Sequence, residues 1–395
     1  MTFSTRSAPL SRVSSIDILR GLIIILMALD HTRAYWGVTS FSPTDIEYTH
    51  WTWFFTRWIT HFCAPLFVFL TGVSAFLYEQ KVQDKTKLRN FLFTRGVWLV
   101  LLEILVITPS WQGNYDTVVW QVIWILGWSM IMLSVLIYLK PKWILSLCIP
   151  VLFLHNALND ADIIEKLSQF SWLWHILHSQ GAIHFNNSDY SIYVAYPLIP
   201  WFGVMALGYV VGQVYIWSPP KRITYLTNLG LGFIVMFVLL RATGSYGDPS
   251  AFDAQYHGIN AVMSFLNTHK YPPSLQYLLM TLGPGLVLLA QLEKITDTHS
   301  LFSRIAWLKT FGAVPLFFYV IHVPIINGLA LAYTWLKYGQ PINMLVEPSK
   351  LPPSYEPSLI LTLCVWVLLL AVLYLPCKQY AALKRRSNNM ILSYL

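Results

Sequence analysis

Long apolar runs alternate with short polar stretches along the whole chain. Ten runs stand out, at residues 16–36, 58–78, 90–108, 117–139, 142–155, 194–216, 224–241, 274–292, 311–335 and 358–377. Most approach the roughly 20 residues a helix needs to cross a bilayer; the run at 142–155 is the shortest. The pattern predicts an all-α, polytopic membrane helix bundle of about ten transmembrane helices. Residues 1–11 are polar and predict a flexible N-terminus. Residues 12–380 form one membrane-embedded domain, and 381–395 a tail. Basic residues then give a direction. Arg6 and Arg12 precede the first run, and the exits of the even-numbered runs carry Lys81, Lys85, Lys87 and Arg89, Lys140 and Lys142, Lys221 and Arg222, Lys294, Arg304 and Lys309, and Lys378, Lys384, Arg385 and Arg386. Both termini are therefore expected in the cytoplasm. Three long loops of the opposite side, 37–57, 156–193 and 242–273, are where an extracytoplasmic substrate would be met.

Composition agrees. Charged residues make up 11% of the 395, against about 25% in a soluble domain. The net charge of +8 is accounted for by cytoplasmic loops, and no basic-aromatic pattern reads as nucleic-acid binding. Cys63, Cys148, Cys364 and Cys377 lie in apolar runs without metal-ligand spacing. His175-x2-His178 lacks further ligands of convincing spacing, so no metal is expected. Nucleophile-elbow, phosphate-loop and dinucleotide-binding motifs are absent. With no cleavage site after the first run, no signal peptide is expected, and a multi-pass integral membrane location is implied.

The first run departs from a simple anchor. Asp17 and Arg20 stand near its start, and Asp30, His31 and Arg33 in its last third. A charge at the centre of a membrane helix costs about 2.5–3.5 kcal/mol on insertion scales, so these groups must face protein or water. Arg20 and His31 are eleven residues apart, about three turns, hence on one face and about 16 Å apart along the axis. That face offers a cation at one depth for a phosphate-bearing donor and an imidazole at another for chemistry. Asp30 and His31 are not a dyad, because helix neighbours i and i+1 diverge by about 100°; Asp30 is better placed for Arg33. A carboxylate orienting His31 must come from elsewhere, and Glu103 is the intramembrane candidate.

The second run adds Arg57 and His61, four apart on one face, with His50 just before. Further on, Arg241 and Lys270 flank one extracytoplasmic loop, and His322 sits in an apolar run beside Pro324. Prolines within runs (Pro65, Pro197, Pro284, Pro315) predict broken helices, and Gly208-x3-Gly212 a close helix contact.

Several segments resemble a known family. Ser15-Ile-Asp-Ile-Leu-Arg-Gly through Asp30-His31, Thr56-Arg-Trp-Ile-Thr-His-Phe-Cys-Ala-Pro-Leu-Phe-Val-Phe-Leu-Thr-Gly72, Tyr196-Pro-Leu-Ile-Pro-Trp201, Lys270-Tyr-Pro-Pro-Ser-Leu275 and Val314-Pro-Leu-Phe-Phe-Tyr-Val-Ile-His322 are similar to the bacterial branch of the heparan-alpha-glucosaminide N-acetyltransferase-like membrane family. The wider group of transmembrane acyltransferases carries an Arg, ten residues and a His on its first helix, matched here by Arg20 and His31. The resemblance implies transfer of an acyl group, as acetyl, from cytoplasmic acyl-CoA (acetyl-CoA) to a sugar or glycan acceptor across the lipid bilayer. One departure is clear: the lysosomal branch lacks Asp-His at the positions of Asp30-His31 and has its candidate His in the following loop, where His50 is the nearest equivalent. The expected site therefore comprises His31 as base or acyl carrier, with Asp30, His61, His50 and Glu103 as the other catalytic candidates. Asp17, Arg20, Arg33, Arg57, Arg241, Lys270 and His322 are the expected binding residues. A transporter or flippase for an anionic or sugar-bearing substrate is the alternative; a non-catalytic partner in envelope assembly is a third reading.

Overall fold

The computed structural model describes residues 13–37, 41–159, 168–185, 190–295 and 300–387, with 392 and 394; the N-terminal segment 1–11 and most of 388–395 lie outside the described residues. Each of the ten apolar runs coincides with a helix: α1 Ser14–Trp36, α2 Trp51–Val82, α3 Lys85–Gln112, α4 Val122–Leu136, α5 Pro141–Asn159, α6 Leu198–Ile216, α7 Pro219–Thr243, α8 Leu275–Glu293, α9 Pro315–Tyr338 and α10 Leu359–Arg386. Eight of these, all but α1 and α4, are long and apolar enough to cross a membrane. The protein is a polytopic helical membrane protein. α4 is shorter, and α1 is broken in composition by the four charges Asp17, Arg20, Asp30 and Arg33. Those charges are tolerable because α1 is largely enclosed, packed against α2, α8, α9, α10 and the short helix Leu308–Gly312.

Two helices are irregular where the sequence removes a backbone donor. α2 passes through a 3₁₀ turn at Ile59–Phe62. Pro65 has no N–H to return to the carbonyl of His61; the Tyr277 hydroxyl of α8 donates to that carbonyl instead, at 2.8 Å. α3 widens into a π-helical turn at Glu103–Ile107 before Pro109. The Leu105 carbonyl orphaned by Pro109 accepts from the Tyr115 hydroxyl at 2.9 Å. The first break lies beside α1, and Trp111, just past the second, packs on His31 and Tyr35 of α1.

Two runs begin later than their hydropathy predicts. Thr117–Trp120 and Ser191–Val194 are strands β1 and β3, and Gly181–His184 is β2. The sheet order is β1-β3-β2, with β1 parallel and β2 antiparallel to β3; Thr117 pairs with Ser191, and Gly181 with Val194. The β-branched stretch Thr117-Val118-Val119 favours extended chain, so the following helix starts at Val122. This sheet is the only addition to the all-α expectation among the described residues.

Where α2 crosses α6 the backbones touch. A Cβ at Gly208 would lie 2.1 Å from the Phe69 carbonyl oxygen, and one at Gly72 would lie 2.1 Å from that of Met205. Gly208→Ala should therefore lower the melting temperature and reduce monodisperse protein on size-exclusion chromatography. Gly232→Ala in α7, where a Cβ meets nothing within 4 Å, should be neutral or slightly stabilising, since alanine is the better helix former. Equal behaviour of the two variants would contradict the close crossing.

One end of the bundle gathers the basic loops. Ser14, Asp17, Lys309 and Arg385 line a single depression. Arg222 pairs there with Glu293, which also accepts from Ser15. The start of α1 and the end of α10 thus share one face, as an even number of crossings requires.

Candidate functional site

At the opposite end of α1, His31 and His322 stack, with ring centroids 4.9 Å apart. His31 Nδ1 and His322 Nε2 are separated by 2.6 Å. The tautomers follow from the next bonds outward. His322 Nδ1 lies 2.7 Å from the carbonyl oxygen of Tyr319 and 3.0 Å from that of Phe318. Carbonyl oxygens only accept, so Nδ1 of His322 carries the hydrogen and its Nε2 presents a lone pair. His31 Nδ1–H therefore donates to it, and Nε2 of His31 keeps the lone pair. Pro324, two residues beyond His322, lies in the same helix. His322 is fully buried, while His31 is half-buried and lines a cavity. Trp111 holds the His31 ring edge-on, with centroids 4.7 Å apart. The Trp111 carbonyl, just past the π turn of α3, is itself fixed by Tyr35 at 2.7 Å and Asn343 at 3.0 Å.

The cavity has about 860 Å³ of empty space, part of it open to solvent. Asp30, His31, Thr60, Cys63, Tyr196, Lys270 and Tyr319 line one end, and Thr71, Arg95 and Leu99 extend it toward the basic face. From Thr60 to Thr71 the lining follows α2 over eleven residues, about 16 Å along the helix axis.

Asp30 faces away from His31, as i and i+1 geometry requires. It takes both oxygens to Arg57 Nη1 at 2.7 Å, Oδ1 to Arg33 Nη2 at 2.9 Å, and Oδ1 to Thr60 Oγ1 at 3.0 Å. Lys270 is 8% exposed and lies 5.0 Å from the Tyr271 ring centroid. Tyr271, in the loop before α8, sits beside Arg57 and Tyr196. Burial alone would raise its phenol, but Lys270 and Arg57 outweigh burial and bring it down to about 8.

Other expected site residues are engaged elsewhere. Glu103 does not orient His31: its Oε2 accepts from the Trp124 N–H at 3.0 Å, satisfying the start of α4. The partner of His31 is an imidazole, not a carboxylate. Arg241 does not line the cavity. Its guanidinium bonds the carbonyls of Phe265, Ser250, Ser264 and Asn267 at 2.5–2.9 Å and pairs with Asp248 at 3.8 Å, so it braces the loop that carries Lys270. His50 is exposed and caps the helix Trp51–Trp58. His61 is buried against Tyr277, with ring centroids 5.5 Å apart, outside the cavity lining. His322, expected to bind substrate, instead supports His31. Arg20 bonds Ser74 and the Leu70 carbonyl and pairs with Asp17 at 3.5 Å. It lies within electrostatic reach of Arg95 rather than in the cavity wall.

Residues that sequence reasoning passed over include Arg95, Trp111, Tyr196, Tyr271 and Tyr319. Tyr319 had a signal: it stands three residues before His322, on the same helix face. Trp111 had none, since its placement depends on the π turn.

A stacked imidazole pair at the wall of a largely apolar cavity, inside a multi-pass helix bundle, defines a membrane protein that carries titratable groups within its helical core. The family described as heparan-alpha-glucosaminide N-acetyltransferase, catalytic, matches residues 12–239. That is more than half of the chain, and the chain belongs to this family. Membership implies a membrane N-acetyltransferase kind of activity, with acetyl-CoA as the family's donor. No curated protein matches the chain. His322, Lys270 and Tyr271 fall beyond the matched residues.

Proposed function

We propose that this protein moves an acetyl group from cytoplasmic acetyl-CoA to an amine or hydroxyl of a sugar or glycan presented at the other face of the bacterial inner membrane. The observation that carries the reading is the His31–His322 pair, whose hydrogen bonds leave the Nε2 lone pair of His31 as the pair's remaining base at the cavity wall. The acceptor proton passes to His31 Nε2 as the acceptor attacks the thioester carbonyl. The tetrahedral intermediate collapses, the C–S bond breaks, and the CoA sulfur leaves with the proton from His31. His322 acts as a positioning residue, holding the His31 ring and tautomer. Arg95 in the cavity wall, with Arg20 nearby and Lys309 and Arg385 at the basic face, supports a donor whose phosphates stay at that end. This orientation also agrees with cytoplasmic termini.

The test is direct. Purified protein in detergent, given acetyl-CoA and an amino-sugar panel, should release CoA and yield a product heavier by one acetyl group in mass spectrometry. Substrate movement across sealed vesicles without acetyl-CoA, and with no change in product mass, would instead identify a transporter.

A further inference from the structure

A second cavity lies away from the histidine pair, between α5, α6, α7 and α8. All four helices are long and apolar enough to cross a membrane. The cavity holds about 1200 Å³ of empty space, part of it open at the surface. Leu145, Phe153, Leu229, Leu275 and Leu282 are among its walls, Gln213 brings the one amide, and no charged residue takes part among the described residues. Water needs about two to four polar partners to stay in such a space, so it does not fill this one. The length of the cavity follows from the packing of α7 on α8. A Cβ at Gly230 would lie 2.7 Å from the Gly283 carbonyl oxygen, so these glycines share one depth. Gly230 also meets Val287, and Gly283 meets Ile234, so the two helices are antiparallel. From the glycine level the lining extends five residues along α7 to Tyr225 and, the other way, eight along α8 to Leu275. Together these make about 20 Å. Half of a bilayer's hydrocarbon core is only about 15 Å.

One end of this cavity is marked by aromatic and cationic groups, as membrane–water interfaces are. Trp217 and Tyr225 line it and meet edge-on, with ring centroids 5.2 Å apart. The Lys221 ammonium lies 4.7 Å from the centre of the Trp217 ring. Arg222, its neighbour, is neutralised by Glu293. Lys221 is exposed and makes no ion pair among the described residues. We propose that this cavity binds one anionic phospholipid, with an acyl chain lying along the apolar walls and the phosphate at Lys221. The walls exclude a sugar or a nucleotide, whose hydroxyls would go unpaired there. The lysine at the mouth favours a net negative headgroup over a zwitterionic one. Because the cavity is longer than one leaflet is deep, a chain filling it stays extended past the midplane, which separates a held lipid from the surrounding bilayer. α6 is the wall shared with the rest of the bundle, since it crosses α2 at Gly208. The lipid would therefore back that crossing from behind. None of this depends on the acetyl-transfer reading.

The test counts lipids on the intact protein. Full-length protein is delipidated in detergent, mixed with dioleoyl phosphatidylglycerol or dioleoyl phosphatidylcholine, and weighed by native mass spectrometry. One phosphatidylglycerol should stay bound at a concentration about fivefold below that needed for phosphatidylcholine, the gain expected of one lysine facing an anionic lipid. Lys221→Gln, at an exposed position, should remove that preference while a lipid still binds. Leu229→Trp, which fills the cavity, should end retention of both lipids, with a monodisperse size-exclusion profile showing that the variant is folded. If it is not monodisperse, Lys221→Gln alone decides. Equal retention of the two lipids by the unmodified protein, or no retention of either, overturns the site. So does a preference that survives Lys221→Gln, or retention unaffected by folded Leu229→Trp. A graded series of many weakly held lipids, with no single tight one, would mean annular lipid only and overturns it too.

Discussion

His31→Ala should reduce acetyl transfer by about 10²–10⁴-fold, the usual contribution of a positioned general base, with acetyl-CoA binding preserved. The expectation rests on the hydrogen-bond directions, not on the presence of a histidine. Two carbonyls fix the hydrogen of His322 on Nδ1, and the 2.6 Å contact passes that constraint to His31. In this pair no other nitrogen is left to take a proton from an acceptor. The same argument separates the two imidazoles experimentally. His322→Gln keeps an acceptor for His31 Nδ1 through its amide oxygen and should retain more activity than His322→Leu, which leaves that N–H unpaired. The pH profile of turnover should shift in the leucine variant, because the tautomer of His31 is no longer held. Turnover measured by CoA release decides it: a wild-type rate in His31→Ala would remove His31 from the reaction.

Asp30→Ala should be the most damaging substitution for stability. It leaves Arg33 and Arg57 as two largely buried cations with no counter-charge, and takes the same carboxylate away from nearby Lys270. Breaking a buried pair by removing one partner costs about 3–5 kcal/mol, and here one carboxylate serves two guanidiniums. Their side chains are 10% and 17% exposed, so water relieves little of this. A large drop in melting temperature in detergent is expected, with partial recovery in the double variant Asp30→Ala, Arg57→Leu, which removes one orphaned charge together with its partner. An unchanged melting temperature in Asp30→Ala would mean that the cluster contributes nothing to the fold.

Bundle and site differ in how far the sequence alone defines them. All ten helices were legible as apolar runs, because a bilayer imposes length and hydropathy on each span independently of its neighbours. The divergence of Asp30 from His31 and its pairing with Arg33 were equally legible, since both follow from helix geometry within one segment. The close approach at Gly208 was legible because glycine alone leaves room for it. Contacts between segments were another matter. That His31 meets His322, 291 residues away, and not Glu103 depends on the π turn at Glu103–Ile107, which sends the carboxylate to the start of α4 and brings Trp111 onto the His31 ring. That Arg241 braces a loop while Lys270 faces a cavity depends on how residues 244–274 fold back, and both read in sequence as end-of-span charges. The sequence by itself determined the class of protein, its spans and the face of α1 that carries charge, because those are properties of single helices in lipid. Only the tertiary structure decided which nitrogen is left as base and which cations share Asp30, because hydrogen-bond direction and charge pairing are properties of groups that the chain brings together from far apart.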